Sequence, residues 1–228
     1  VEQLHECCLK NLFEWGCEPP ASSFKYLLIK MKKRVKFELK RKLFHLSSLL
    51  YIPIYYFINQ FFGKQIALLS IIFIFAIFII LEFFRILRNQ TIPFFHVLFR
   101  RKEKLKLAGN VYFTLGAIIA FAIFDFKIAT AALLMTTFGD MAAALFGIQF
   151  GKHWLKNIPH TAWEGVIAEF IVDLIIGFLL LSNWMIILAM ALTATFVETI
   201  FIHTDDNLTI PIFSGFVGQV ILLILNHF

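Results

Sequence analysis

The sequence predicts an all-α integral membrane protein with about seven transmembrane helices and a cytoplasmic N-terminus. Three observations predict it. Hydrophobic residues make up 60% of the 228 residues and mean hydropathy is +0.80, against roughly half apolar for a soluble domain. Apolar runs near the ~20 residues that a bilayer core requires recur along the chain. Lys and Arg crowd the segments between alternate runs, as positive-inside loops do. The 29 Phe read as lipid-facing and packing surface rather than a cofactor stripe. The net charge of +6 belongs to the same loops, so no nucleic-acid partner is expected.

Residues 1–30 come first. They lack the apolar core of a signal peptide, carry Pro19-Pro20, and hold all the cysteines, Cys7, Cys8 and Cys17, with neither a metal-ligand spacing nor an even disulfide count. Met31-Lys32-Lys33-Arg34 comes next and reads as a natural start. Residues 1–30 are therefore expected to be a dispensable extension, and 31–228 a single polytopic membrane domain. The expected spans are 43–61, 65–84, 109–124, 127–149, 165–182, 184–202 and 209–226.

The loop charges orient them. Lys32, Lys33, Arg34, Lys36, Lys40, Arg41 and Lys42 precede the first span, and Arg85, Arg88, Arg100, Arg101, Lys102, Lys104 and Lys106 come after the second. Both segments are expected in the cytoplasm. The loops after spans four and six fall on that side too, so nearly every ionisable group collects at one face. Asp140 is the strongest candidate for function, because a carboxylate in an apolar span costs about 3 kcal/mol on insertion scales and so faces protein or water. It lies about two turns inside the end of span four, Glu164 opens span five, and Glu198 stands one turn from the end of span six, depths that can converge. Glu169 and Asp173, spaced i,i+4, share a face of span five.

Four motifs have two readings each. Gly147 and Gly151-Lys152 have three residues between the glycines and His153 after the lysine, which is not the phosphate-loop pattern. Either they pack helices closely or they let a nucleotide approach the backbone. Asp205-Asp206-Asn207 supplies a helix N-cap, yet one cap needs one residue, and adjacent carboxylates also suit Mg²⁺, which takes one or two of them with substrate phosphates. Arg41, Lys42 and His45 either anchor the interface or present a basic face with an imidazole one turn away. The run Arg100 to Lys106 is either a solvated, positive-inside or lipid-contacting segment or takes a direct catalytic role, and the first is the simpler reading.

RKLFH at 41–45, GNVYFTLG at 109–116, GDMAAALFGIQFGK at 139–152, HTAWEG at 160–165 and DDNLTIPIFSG at 205–215 occur in order. Together they resemble the CTP-dependent lipid-alcohol kinases, namely dolichol kinase, phytol kinase and the CTP-using diacylglycerol kinase. The resemblance implies a membrane enzyme that moves the γ-phosphoryl group of CTP, with Mg²⁺ or another divalent cation, onto a lipid hydroxyl, with its site on the cytoplasmic side. Carried over by position, it implies Asp140, Glu164 and Asp206 as catalytic residues. Arg41, Lys42, Gly139, Gly147, Gly151, Lys152, Thr161 and Asn207 would bind nucleotide, and Asp140, Asp205 and Asp206 metal. His45, Glu169 and Asp173 are alternatives for taking the hydroxyl proton. One position departs: His160 stands where the family has Lys, and an imidazole is only partly charged at neutral pH, so either another cation such as Lys156 compensates or activity is weakened.

Three alternatives carry discriminating tests. A phosphatidate cytidylyltransferase also uses CTP but releases pyrophosphate. A transporter keeps its acids near the midplane of repeated halves, and no repeat is evident here. A scaffold would tolerate loss of Asp140 and Asp206 together. A chain this small suits a bacterial inner membrane.

Overall fold

The structure is a computed structural model that describes residues 46–88, 107–155, 161–201 and 204–227. Among them it is all-helical, without strands. The expected extension 1–30, Arg41, Lys42, His45, the run 100–106, Lys156 and His160 lie outside the described residues.

A 3-10 turn, Leu46–Leu50, leads into α1, Tyr51–Phe62. The start of the span expected from 43 lies outside the described residues; Pro53 falls in the first turn of α1, where a missing N–H costs nothing. Gly63, at φ 84°, reverses the chain into α2, Lys64–Arg88, a conformation that favours glycine. Then come α3, Gly109–Ile123, and α4, Phe126–Phe150. Asp125 caps α4 by accepting from the Lys127 N–H at 3.0 Å. Within α4, Met135–Gly139 form a π-helical turn. The remaining helices are α5, Trp163–Leu180, α6, Trp184–Ile200, and α7, Asp206–His227.

These helices match the seven expected runs in place. Three segments, Lys64–Leu87, Phe126–Phe150 and Asp206–His227, are long and apolar enough to cross a membrane by length and composition, which fits a membrane protein. The interior is built from Phe113, Phe121, Ile128, Leu133, Ile187, Met190 and Ile210. Small residues set how closely the helices approach. A Cβ on Gly218 would meet Met190 Sδ at 2.5 Å and one on Gly177 would meet Ile187 Cγ2 at 2.6 Å, so α7 and α5 press on α6 there.

Hydroxyls in this apolar interior bond back to the preceding turn. Thr136 and Thr137 donate to the carbonyls of Ala132 and Leu133, Thr195 to Ala191, and Ser214 to Ile210. At the start of α3, Thr114 Oγ1 donates to the Asn110 carbonyl at 2.6 Å and lies 3.0 Å from the Tyr51 hydroxyl, joining α1 to α3. Gly116 of α3 meets the start of α7, where a Cβ would lie 2.9 Å from the Asn207 carbonyl and 3.0 Å from Pro211 Cγ. Pro211 has no N–H to offer that carbonyl. The 109–116 and 205–215 motifs are thereby brought side by side.

Candidate active site

The chemistry-bearing residues fall into two levels along α4 and α5. The deeper level begins at the π turn. Extra backbone inserted there re-aims the next side chain along the helix, that of Asp140. The last residue of the turn, Gly139, faces α5: a Cβ there would lie 2.6 Å from Asp173 Oδ1 and 3.3 Å from Glu169 Cγ. Glycine at 139 thus admits two acids of α5 against the backbone of α4. Glu169 hydrogen-bonds Glu198 of α6, a contact that needs one proton between the two carboxyls, and it lies in the field of Asp173, Asp140 and Asp206. Glu198 acts likewise on Asp173. Acids of four helices, α4 to α7, therefore act on one another at this level.

Glu169 is 2% exposed and Asp173 0%. Neither Asp173 oxygen has a hydrogen-bond partner, and an unpaired buried polar group costs about 1–3 kcal/mol, more when charged. Asp140, Glu198 and Asp206 are half-buried. Sequence reasoning named Glu198 for its depth but not among the site residues; its signal was a lone acid within a 17-residue apolar helix.

The adjacent acids at the head of α7 do different things. Asp205 Oδ1 accepts from the Asn207 backbone N–H at 3.2 Å and from its side-chain amide at 2.7 Å, while the Asp205 carbonyl accepts from Leu208 and Thr209. Asp205 is the helix cap and Asn207 completes it. Asp206 is the one that acts on Glu169.

The outer level lies at the ends of the two helices, about 8 Å from Glu169 along α5 and about 15 Å from Asp140 along α4. Here Glu164, in the first turn of α5, closes the loop that leaves α4. Its Oε1 accepts from the Lys152 N–H at 3.1 Å, the His153 N–H at 3.2 Å and His153 Nδ1 at 2.8 Å. An antiparallel bridge joins Trp154 to Ala162, Leu155 donates to the Thr161 carbonyl, and Trp163 donates to that of His153. The Glu164 carboxyl is held down at about 2, first by its own backbone N–H, then by the His153 side chain; desolvation opposes them, and the Lys152 and His153 amides add to the lowering. Glu164 therefore fixes the backbone that carries Lys152, whose side chain is exposed.

Gly147 and Gly151 serve packing at this level. A Cβ on Gly165 would stand 2.7 Å from the Ala143 carbonyl and 3.3 Å from Gly147 Cα, so α4 and α5 cross backbone to backbone. Gly151 ends α4, where a Cβ would lie 2.9 Å from that of Ala162. The structure thus brings Gly139, Asp140, Glu169, Asp173, Asp206 and Asn207 together at the deeper level, and Gly147, Gly151, Lys152, Thr161 and Glu164 at the outer one.

Among the described residues no three His, Cys, Asp or Glu side chains are placed to cage a metal ion on their own. Mg²⁺ does not need a cage, since it keeps waters and takes one or two carboxylates beside substrate phosphates. The buried, unpartnered Asp173 in a group of acids suits a missing positive charge at the deeper level.

Comparison with known proteins agrees with the motifs. The model of the cytidylyltransferase family matches residues 26–219. The chain belongs to the cytidylyltransferase family. Within it, the chain is 30% identical over 148 residues to CTP-dependent diacylglycerol kinase 1 of Saccharomyces cerevisiae, covering 61% of this chain and 49% of that one. The resemblance to CTP-dependent lipid kinases is thus met by a relative of that name, about half of whose length the chain spans. It is also 30% identical over 189 residues to an uncharacterized protein of Rickettsia prowazekii, covering 77% of this chain and 90% of that one. A third relative, an uncharacterized protein of Methanocaldococcus jannaschii, is 30% identical over 130 residues, 56% of this chain and 62% of its own. No solved structure matches.

Proposed function

We propose that this cytidylyltransferase-family chain is a multi-pass membrane kinase that transfers the γ-phosphoryl group of CTP to the hydroxyl of a lipid alcohol, of the polyprenol or dolichol, phytol or diacylglycerol type. The observation that supports the reading is the group of acids from four helices that act on one another at the deeper level, in a chain similar to a CTP-dependent diacylglycerol kinase. Residues 31–228 form the kinase domain, with the site on the cytoplasmic side, in a bacterial inner membrane.

Phosphoryl transfer depends on in-line positioning and on neutralising phosphate charge. The two levels divide that work. Lys152, on the backbone that Glu164 clasps, and Arg41 and Lys42 ahead of α1 contact the triphosphate. Gly147, Gly151 and Thr161 shape the opening beside them. Asp140 and Asp206 would hold Mg²⁺ together with phosphate oxygens, while Asp205 and Asn207 keep the head of α7 in place. Bound there, the ion would neutralise charge developing on the transferred group. The lipid oxygen attacks the γ-phosphorus, the bond to the β-phosphate oxygen breaks, CDP leaves, and the hydroxyl proton passes to Glu169, Asp173 or His45.

The family description favours a second reading, phosphatidate cytidylyltransferase, in which a lipid phosphate attacks the α-phosphorus and pyrophosphate leaves. One experiment separates them. Membranes carrying the chain or its Asp140→Asn variant receive CTP labelled at the γ- or the α-phosphorus, with a panel of lipid alcohols and with phosphatidate. Lipid labelled from γ-CTP in the native chain and absent in the variant is the expected result. Label entering lipid only from α-CTP with phosphatidate would replace the kinase by the cytidylyltransferase.

A further inference from the structure

The outer end of the α4–α5 pair carries four aromatic side chains that the fold leaves uncovered: Phe146 at 47% exposed, Phe150 at 52%, Trp154 at 52% and Trp163 at 54%. Phe146 and Phe150 lie against each other at 5.6 Å between ring centroids. Such rings, each apolar with some polar capacity in the tryptophans, suit the boundary between headgroups and acyl chains.

Helix lengths give an independent ruler. In α2, uncharged residues run from Lys64 to Glu82, a rise of about 27 Å. At the far end Lys64 Nζ donates to the Ala122 carbonyl, beside the Asp125 cap of α4; at the near end Glu82 pairs with Arg85 at 2.6 Å. From Asp125 to Phe146 along α4 is about 31 Å. From Trp163 to Leu180 along α5 is about 26 Å, with Trp184, 65% exposed, just past its far end. Three helices thus place aromatic or charged boundaries a bilayer core apart, about 30 Å.

We propose that the tip formed by Phe146, Phe150, Trp154 and Trp163 is an interfacial anchor seated in the bilayer's headgroup–acyl boundary, which submerges the acids beneath it. By the same rise, Asp140 and Glu169 lie about 9 Å below that boundary and Asp173 about 15 Å. The occupant of the patch is the bilayer, and Lys152, exposed at the tip, adds attraction to anionic headgroups. The site is then reached by a lipid whose hydroxyl descends below the headgroups, and by phosphates that enter from the water above.

The chain's four tryptophans make the test direct. Variants keep one tryptophan each, Trp154, Trp163 or Trp184, with the others changed to Phe. A further variant carries Ile171→Trp in a background with all four changed; Ile171 is 50% exposed, faces away from the acids, and lies at their depth. Each is reconstituted in phosphatidylcholine–phosphatidylglycerol vesicles, with circular dichroism as the folding control. Trp154 and Trp163 are expected to be quenched by a doxyl group near the glycerol more than by one near the chain terminus, and little by aqueous iodide. Ile171→Trp is expected to be quenched best by the deeper label. Strong iodide quenching of Trp154 and Trp163 without quenching by lipid, or shallow quenching of Ile171→Trp, overturns the proposal. None of these readouts needs turnover, so they stand apart from the kinase reading.

Discussion

The two levels of the site satisfy their carboxylates in opposite ways. At the outer level Glu164 sits near water, and backbone amides and His153 hold it, so its charge is spent on fixing a loop. At the deeper level Asp173 is enclosed with no hydrogen-bond partner, and Glu169 shares a contact with another acid. A satisfied carboxylate serves as scaffold, whereas on the proposed reading the unsatisfied one among acids stands where positive charge would bind. The difference comes from the cost of enclosing an unpaired polar group, which folding alone does not recover.

The largest effect that sharpens this contrast is expected at Asp206. Asp206→Asn keeps size and removes charge from the acid group, and turnover should fall on the order of 100-fold or more, as for groups that act only in the transition state. Transfer from labelled CTP measures it. Turnover within twofold of the native chain would remove Asp206 from the chemistry.

Next comes the close approach at Gly139. Gly139→Ala forces Asp173 away, because its carboxylate oxygen would stand 2.6 Å from the new methyl. Overpacking of this kind costs about 1–3 kcal/mol, and turnover is expected to drop roughly tenfold. The same change made on an Asp173→Ala background should cost little of either. Additive losses in this double-mutant cycle would mean that Gly139 acts on something other than Asp173.

At the outer level the effect should be smaller and of another kind. Glu164→Ala frees the Lys152 and His153 amides, so the expected result is a rise in KM for CTP of about tenfold with kcat nearly kept. The native clasp should not depend on pH near neutrality. The Glu164 carboxyl is held at about 2, below its ordinary 4.5, so its contribution is complete above 4.5 and lost only as pH falls through about 2. Hydrogen exchange at the Lys152 and His153 amides between pH 5 and 8, corrected for intrinsic rates, tests this. Protection that decays within that range would show that the clasp does not rest on the Glu164 carboxylate alone.

The sequence located the helices because each is an apolar run bounded by charges, glycine or a capping Asp or Asn. It also placed Glu169 and Asp173 on one face, since a 3.6-residue period decides that without tertiary information. Which helix would meet that face was not legible. Nothing local announces a π turn in Met-Thr-Thr-Phe-Gly, yet that turn and Gly139 set how Asp140 stands against α5. Glu164 entered as a catalytic residue through the family resemblance; its clasp on Lys152 and His153 depends on the loop doubling back through the Trp154–Ala162 bridge, which no local pattern announces. Among the described residues Pro53 falls in the first turn of α1, just past the 3-10 turn Leu46–Leu50, where proline is tolerated.

The smallest effect separates adjacent acids. If Asp205 is cap and Asp206 chemistry, then Asp205→Asn should be nearly silent, because an asparagine oxygen can accept the same Asn207 N–H. Asp205→Ala should lower stability by about 1 kcal/mol, the usual worth of a cap, while turnover per folded molecule stays near native. Thermal unfolding in detergent and labelled-CTP transfer on the same preparations measure both. A loss in Asp205→Asn as large as in Asp206→Asn would place both carboxylates on the metal and break the division of labour between them, for a cap needs an acceptor oxygen, whereas a cation needs the charge.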